Sequence, residues 1–172
     1  PCGFGAKFAT PAQALSRHYE SADDYRACLQ VDGCGAVLRA RSVLIATGAD
    51  YRRLDAEGRE QFEGMGVYYA ATALEGQICH GATVIVAGSG NSAGQAAMFL
   101  SDGAAKVLLV IRGDDLSKMS TYLSRRVEAC ANIEILYHTQ IRKMSGNKML
   151  EEAELENTRT GERRIVRTPA IF

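Results

Sequence analysis

The sequence predicts an α/β fold, a doubly wound parallel sheet followed by an antiparallel β-meander. Three observations point there. Between residues 83 and 137, short β-rich runs alternate with stretches of helical period, the pattern of parallel strands joined by crossover helices. A small-residue cluster, Gly88-Ser89-Gly90-Asn91-Ser92-Ala93, stands where the first of these strands meets the first helix. From Gln140 to Val166 the residues alternate on either side of Gly146-Asn147 and Thr160-Gly161, which are turn signals.

Length and composition set the frame. The 172 residues have room for one domain, or one domain with pieces of another. A hydrophobic share of 47%, a charged share of 23% and a formal net charge of zero describe an ordinary globular protein. That balance carries no nucleic-acid or membrane footprint, and no apolar run approaches a membrane span. The five cysteines, at 2, 28, 34, 79 and 130, are odd in number and form no C-x-x-C pair. This argues against a disulfide framework or a zinc ribbon, so no metal site is expected and a reduced, cytoplasmic setting fits. Each cysteine reads as a small hydrophobe. Pro1 and the closing Pro169-Ala170-Ile171-Phe172 both read as cuts through a longer protein.

Taken in order, residues 1–20 are uninformative beyond some helical spacing from Phe8 to Leu15. Tyr25–Val31 alternates like a strand, Asp32-Gly33-Cys34-Gly35 is a turn, and Val37–Arg41 continues as strand. Ser42-Val43-Leu44-Ile45-Ala46-Thr47-Gly48 is an apolar run expected to be a strand buried on both faces. Asp50–Gly66 is polar and reads as a linker with a short helix at Ala56–Glu63. Thr83–Ala87 is a strand, and a helix follows until Asp102-Gly103. Lys106–Ile111 is a second strand, helical spacing returns at Leu116, Met119, Leu123 and Val127, and Ile133–Tyr137 is a third strand.

The glycine cluster carries chemistry. A dinucleotide pyrophosphate needs a tight turn, a point where no Cβ obstructs it, and free amides at a helix start. Gly88 suits the turn, Gly90 the close approach, and Ala93 the small contact between helix and strand. Ser89 lies between the glycines, and Asn91 and Ser92 offer side chains to a phosphate from the first helical turn. A lone G-x-G-x-x-A is a weak signal, but strand, motif, helix and second strand in succession are the context it requires. The fold is therefore Rossmann-like, with a nicotinamide dinucleotide as the expected ligand; a structural glycine turn is the alternative.

The tip of the second strand distinguishes NAD from NADP, by a carboxylate for the ribose hydroxyl or an arginine for the 2′-phosphate. Ile111-Arg112-Gly113 offers an arginine and no acid, which favours NADP(H). Arg112 as a solvated surface charge is the other reading. Asp114 and Asp115 follow closely and read as helix N-cap and first-turn residues.

From Val43 to Ile141 the residues resemble the NADPH-binding half of bacterial low-molecular-weight thioredoxin reductases, which are pyridine nucleotide-disulfide oxidoreductases. The likeness is closest to the branch often fused to a cyclic-nucleotide-binding or other regulatory domain. It rests on Ile45-Ala46-Thr47-Gly48-Ala49, Tyr51-Arg52-Arg53-Leu54, Gly66-Val67-Tyr68-Tyr69-Ala70-Ala71-Thr72, Gly88 to Ala97, and Met119-Ser120-Thr121-Tyr122-Leu123. The resemblance implies a flavoprotein whose nicotinamide domain is inserted into its flavin domain. Residues 1–53 would end the first FAD-domain segment, with Gly48 on the flavin side. Residues 54–81 would be linker and the start of the insertion, 82–168 the NAD(P)H-binding domain, and 169–172 the start of the second FAD segment. The family's flavin fingerprint is absent from these residues, so FAD is expected only in the full-length protein, held by the missing FAD-domain segments. The oligomeric state stays open, a homodimer included.

Two departures from the family pattern matter. Its redox C-x-x-C would fall on Ala70-Ala71-Thr72-Ala73, and thiol–disulfide exchange needs a thiolate. Cys79 is nearby, but a lone cysteine makes no internal disulfide. The family's phosphate-binding cluster is reduced to Arg112, a further family arginine falling on Ser117. Lys118, Arg125 or Arg126 would then compensate, Arg126 preferred because it would share a helical side with Lys118. The sequence thus predicts an NADPH-binding part of a flavin-dependent oxidoreductase without the dithiol. The alternative is a non-catalytic NADP(H)-sensing module.

Overall fold

Strands β4 (Thr83–Ala87), β5 (Lys106–Val110) and β6 (Ile133–Leu136) form a parallel sheet in the order β4-β5-β6. Val86 pairs with Leu109 and Val110 with Leu136. Period-two alternation sends neighbouring side chains of each strand to opposite faces. Val84, Val86, Val107, Leu109 and Ile111 belong to one core cluster, and Ile85, Leu108 and Val110 to a second. The computed structural model from which these elements are taken describes residues 14–19, 27–31, 37–40, 44–48, 51 and 53–172. It divides the chain into two compact units, Pro1–Asp50 and Tyr51–Phe172.

In the second unit, helices α3 (Asn91–Ser101) and α4 (Thr121–Ala129) share the first core cluster, contributing Ala97, Leu100, Leu123 and Val127. The other face meets an antiparallel meander, β7 (Thr139–Ser145), β8 (Glu152–Asn157) and β9 (Arg163–Arg167), through Ile141, Met144, Ala153 and Leu155. Both faces are thus covered, helices on one and the meander on the other, as the β-rich runs require. Asn132, just before β6, donates from Nδ2 to the carbonyls of Ser101 (2.8 Å) and Ala104 (3.1 Å). It thereby satisfies acceptors that the end of α3 leaves open.

The stretch read as linker carries α1 (Arg59–Phe62) and sinks Phe62, 1% exposed, into the second cluster. A further helix, α2 (Ala73–Ile78), has a start signal in the sequence that periodicity alone passes over. Thr72-Ala73-Leu74-Glu75 is a capping box, with the Glu75 carboxylate accepting the Thr72 N–H at 3.0 Å and bonding its hydroxyl as well. Residues 170–172 run parallel to β4. Ile85 N–H donates to Ala170 (3.1 Å), Phe172 N–H to Ile85 (2.9 Å) and Ala87 N–H to Phe172 (2.7 Å). On their far side Ile171 N–H donates to Gly66 and Tyr68 N–H to Ile171. The parallel sheet therefore gains two more rows beyond β4.

The first unit holds an antiparallel sheet of β1 (Ala14–Tyr19), β2 (Ala27–Val31) and β3 (Val37–Ala40). β1 overlaps the uninformative opening of the sequence, since Ala14–Tyr19 has no β-branched residue and owes its strand to pairing with β2. The Asp32–Gly35 turn lies outside the described residues. The apolar run before Gly48 departs from expectation. Residues 44–48 form no strand and are exposed, Leu44 to 91%. Among the described residues no strand pairs with this segment, and an apolar run becomes a buried strand only where neighbours satisfy its backbone. No helix among the described residues is long and apolar enough to cross a membrane.

Candidate functional site

At the end of β4, Gly88 takes φ +149°, a backbone state that side chains disfavour. Its N–H donates to the Val110 carbonyl at 3.0 Å, fastening the turn to the end of β5. A Cβ on Gly88 would lie 3.0 Å from the Ala93 Cβ, so both positions must stay small for the helix to start under the strand end. Gly90 is the N-cap of α3, extended at φ −93° and ψ −179°, and no side chain caps the helix. Its missing Cβ would meet no protein atom within 4 Å. The first turn of α3 holds no acidic residue. Open amides and an uncompensated positive helix end are the donor arrangement that suits an anion.

Asn91 does something the sequence did not suggest. Its Oδ1 accepts the backbone N–H of Ser120 at 2.7 Å, linking α3 to the N-cap of α4. Gly94 also escapes a reading from sequence. A Cβ there would sit 2.6 Å from Met119 Sδ and 2.8 Å from Leu123 Cδ2, so a glycine inside α3 lets the segment before α4 press against it. Glycine in a helix interior is unfavourable by about 1 kcal/mol, which is the signal that could have found it.

Beside this loop lies a cleft of about 570 Å3, within the roughly 300–1,000 Å3 usual for small-molecule sites. Val86, Ala87, Ser92, Ala93 and Ala96 form one side, and Tyr51, Tyr68, Tyr69, Ala70, Ala71 and Phe172 contribute others. Tyr51 and Tyr69 stack at 5.8 Å, and Tyr68 meets Phe172 at 5.6 Å. Tyr69 is fixed by donating its hydroxyl to Glu63 Oε1 at 2.8 Å. That bond first, and the Arg59 charge after it, hold the Glu63 carboxyl below its usual range. Partial burial, with Glu75 nearby, raises the Tyr68 phenol.

At the end of β5, Ile111 is buried and Arg112 is exposed. Among the described residues no ion pair engages Arg112. The expected N-cap role of Asp114 and Asp115 is not observed, because α4 begins only at Thr121, after Ser120. Asp115 instead folds back on its own turn, where Oδ1 accepts the Ser117 N–H (2.9 Å) and hydroxyl (2.7 Å). These bonds, with Lys118 adding to them, lower its carboxyl. Lys118 therefore precedes the helix, and the shared helical side invoked for Lys118 and Arg126 does not exist. Arg126 lies in the last turn of α4, donating to the Tyr122 hydroxyl at 3.1 Å with its guanidinium 5.5 Å from the Tyr122 ring centroid.

Gly48, at φ +77°, belongs to the first unit. Cys79 is 1% exposed, and its thiol is pushed up to about 11, by burial first and then by Glu75.

Comparison with known proteins places these features. The sequence profile of the pyridine nucleotide-disulphide oxidoreductase family matches residues 12–171. A thioredoxin reductase of Yarrowia lipolytica is 33% identical over 141 residues, which span 77% of this chain and 42% of the relative. The thioredoxin reductase structure from Giardia duodenalis superposes with a TM-score of 0.76 at 26% identity, covering 94% of this chain and 51% of that one. A bacillithiol disulfide reductase from Staphylococcus aureus shares the fold, with a TM-score of 0.60 at 20% identity over 94% of this chain and 47% of that one. The chain thus spans about half the length of these relatives. Its sheet order, its glycine turn and a profile match over almost its whole length agree, and the chain belongs to the pyridine nucleotide-disulphide oxidoreductase family, where it is thioredoxin reductase-like.

Proposed function

We propose that residues 88–93 bind NADP(H), and that the chain is the nicotinamide-dinucleotide part of a flavin-dependent oxidoreductase working without the dithiol of thioredoxin reductases. The supporting observation is the uncapped N-terminus of α3 beside Gly90, whose missing side chain leaves open space. The donor set fits a pyrophosphate, being backbone amides at a positive helix end with no carboxylate in the first turn. Gly88, Ser89 and Gly90 would hold the pyrophosphate, with Ser92 and Ala93 shaping the cleft wall. Arg112, with Lys118 in the same turn, would receive the 2′-phosphate.

A bound nicotinamide would supply hydride, and FAD in the full-length protein would accept it. The chain's own task is orientation and exclusion of water along the aromatic cleft. Gly48 would lie on the flavin side. Residues 70–73 have no sulfur, and the Cys79 thiol stays protonated at neutral pH. Thioredoxin reduction through this stretch is therefore not expected.

Calorimetric titration tests the reading. The purified chain should be colourless, bind NADPH, and bind NADH more weakly. A yellow preparation with stoichiometric FAD, or no heat with either nucleotide, would overturn it.

A further inference from the structure

We infer that Asn91 is a positioning residue, a latch that holds the segment leading into α4, with its Lys118, against the glycine loop. This rests on the NADP(H) reading above and assigns Asn91 a role other than direct phosphate ligation. The geometry is specific. Asn91 Oδ1 takes the Ser120 N–H at 2.7 Å across 29 positions of sequence, and Ser120 has no side-chain cap bond of its own. One helical turn along α3, Gly94 receives Met119 and Leu123. Leu116 and Met119, 7% and 5% exposed, anchor the same segment in the core. The segment is thus docked on α3 at two points, one polar and one apolar, and it carries Lys118.

The consequence is coupling. The pyrophosphate is common to NADH and NADPH, but only NADPH has a 2′-phosphate for Lys118 to receive. Losing the latch leaves the loop amides in place, and Arg112 stays fixed at the end of β5, while Lys118 loses its register. The cost should therefore fall on NADPH and change the ratio of the two affinities. A direct phosphate ligand would affect both nucleotides alike.

Two variants of the full chain separate these roles. Asn91→Ala removes the acceptor. Ser120→Pro removes the backbone donor, and Ser120 already has φ −60° and ψ 142°, a backbone that proline adopts. The Ser120 carbonyl still accepts from Leu123 (2.9 Å) and Ser124 (3.0 Å). Circular dichroism checks folding, and Asn91→Ala carries the test if the proline variant misfolds. Each variant should weaken NADPH binding about three- to tenfold, the range of one hydrogen bond, with NADH changed less than about twofold. Without nucleotide, the Ser120 amide should exchange faster in Asn91→Ala than in the parent. Equal losses for both nucleotides in Asn91→Ala, with Ser120→Pro unaffected, would make Asn91 a phosphate ligand and overturn the latch. Unchanged affinities in both variants, with the parent binding normally, would overturn the latch alone. A parent that binds neither nucleotide would overturn the NADP(H) reading, and the coupling with it.

Discussion

At the end of β4 the chain turns on small residues, and at the end of β5 it turns on charged ones. Gly88, Gly90 and Ala93 shape the first turn by what they lack, so that backbone amides face outward. Arg112, Asp114, Asp115 and Lys118 shape the second by side chains, and their use depends on which of them pair. Asp115 is committed to Ser117 while Arg112 stays free of ion pairs among the described residues. A site built from absent side chains has few alternatives. One built from present side chains is settled only by the surrounding packing.

The sharpest way to break this contrast is at two glycines near the start of α3. Gly90→Val should weaken dinucleotide binding on the order of a hundredfold or more, about 2.7 kcal/mol, with little change in melting temperature. Its Cβ meets no protein atom, yet it would occupy the approach of the pyrophosphate. Undiminished binding by calorimetry would move the site elsewhere. Gly94→Val should do the reverse, costing about 1–3 kcal/mol of stability through the clash with Met119 and Leu123. Thermal melts that show no loss would mean this docking is loose.

Arg112→Ala sharpens the other side of the contrast. NADPH affinity should fall about tenfold, the lower part of the range for a charge-assisted contact. NADH affinity should hardly change. Added salt should erode the parent's preference, because the pairing is exposed. Equal parental affinity for the two nucleotides would reduce Arg112 to a surface charge.

The smallest effect is a control away from both turns. Burial raises the folded Cys79 thiol to about 11, so an unfolded chain ionises it first. Between pH 9 and 11 the folded state holds more protons than the unfolded one, and this contribution to stability declines as pH rises. Melts of Cys79→Ala against the parent across that window should converge on the alkaline side. Rapid alkylation of Cys79 at pH 8 in the folded chain would contradict its burial.

The same contrast governs what could be read in advance. The parallel strands were legible as short β-rich runs separated by helical spacing, and the meander by alternation on either side of Gly146-Asn147 and Thr160-Gly161. The glycine turn was legible because a strand that runs straight into Gly88 and Gly90 before a helix needs a tight turn there. The start of α4 was not. Leu116 and Met119 keep helical spacing while lying outside the helix, since burial in the core selects the same apolar residues that a helix would. The partner of Asn91 was invisible because Ser120 is distant in sequence and donates from its backbone. The run at Leu44–Gly48 misled for a related reason, as its apolarity describes an environment that the described residues do not supply.

The three residues beside β4 have a bearing on how the chain folds. Ile85 and Ile171 sit half the chain apart, yet their backbones share one ladder. Until residues 170–172 arrive, β4 is an edge strand with unsatisfied donors at Ile85 and Ala87, open to pairing with another chain. Closing so long a loop slows folding more than it lowers stability. The strand that ends at the glycine turn is therefore late to gain its second neighbour, and the period before that is when aggregation has its opening.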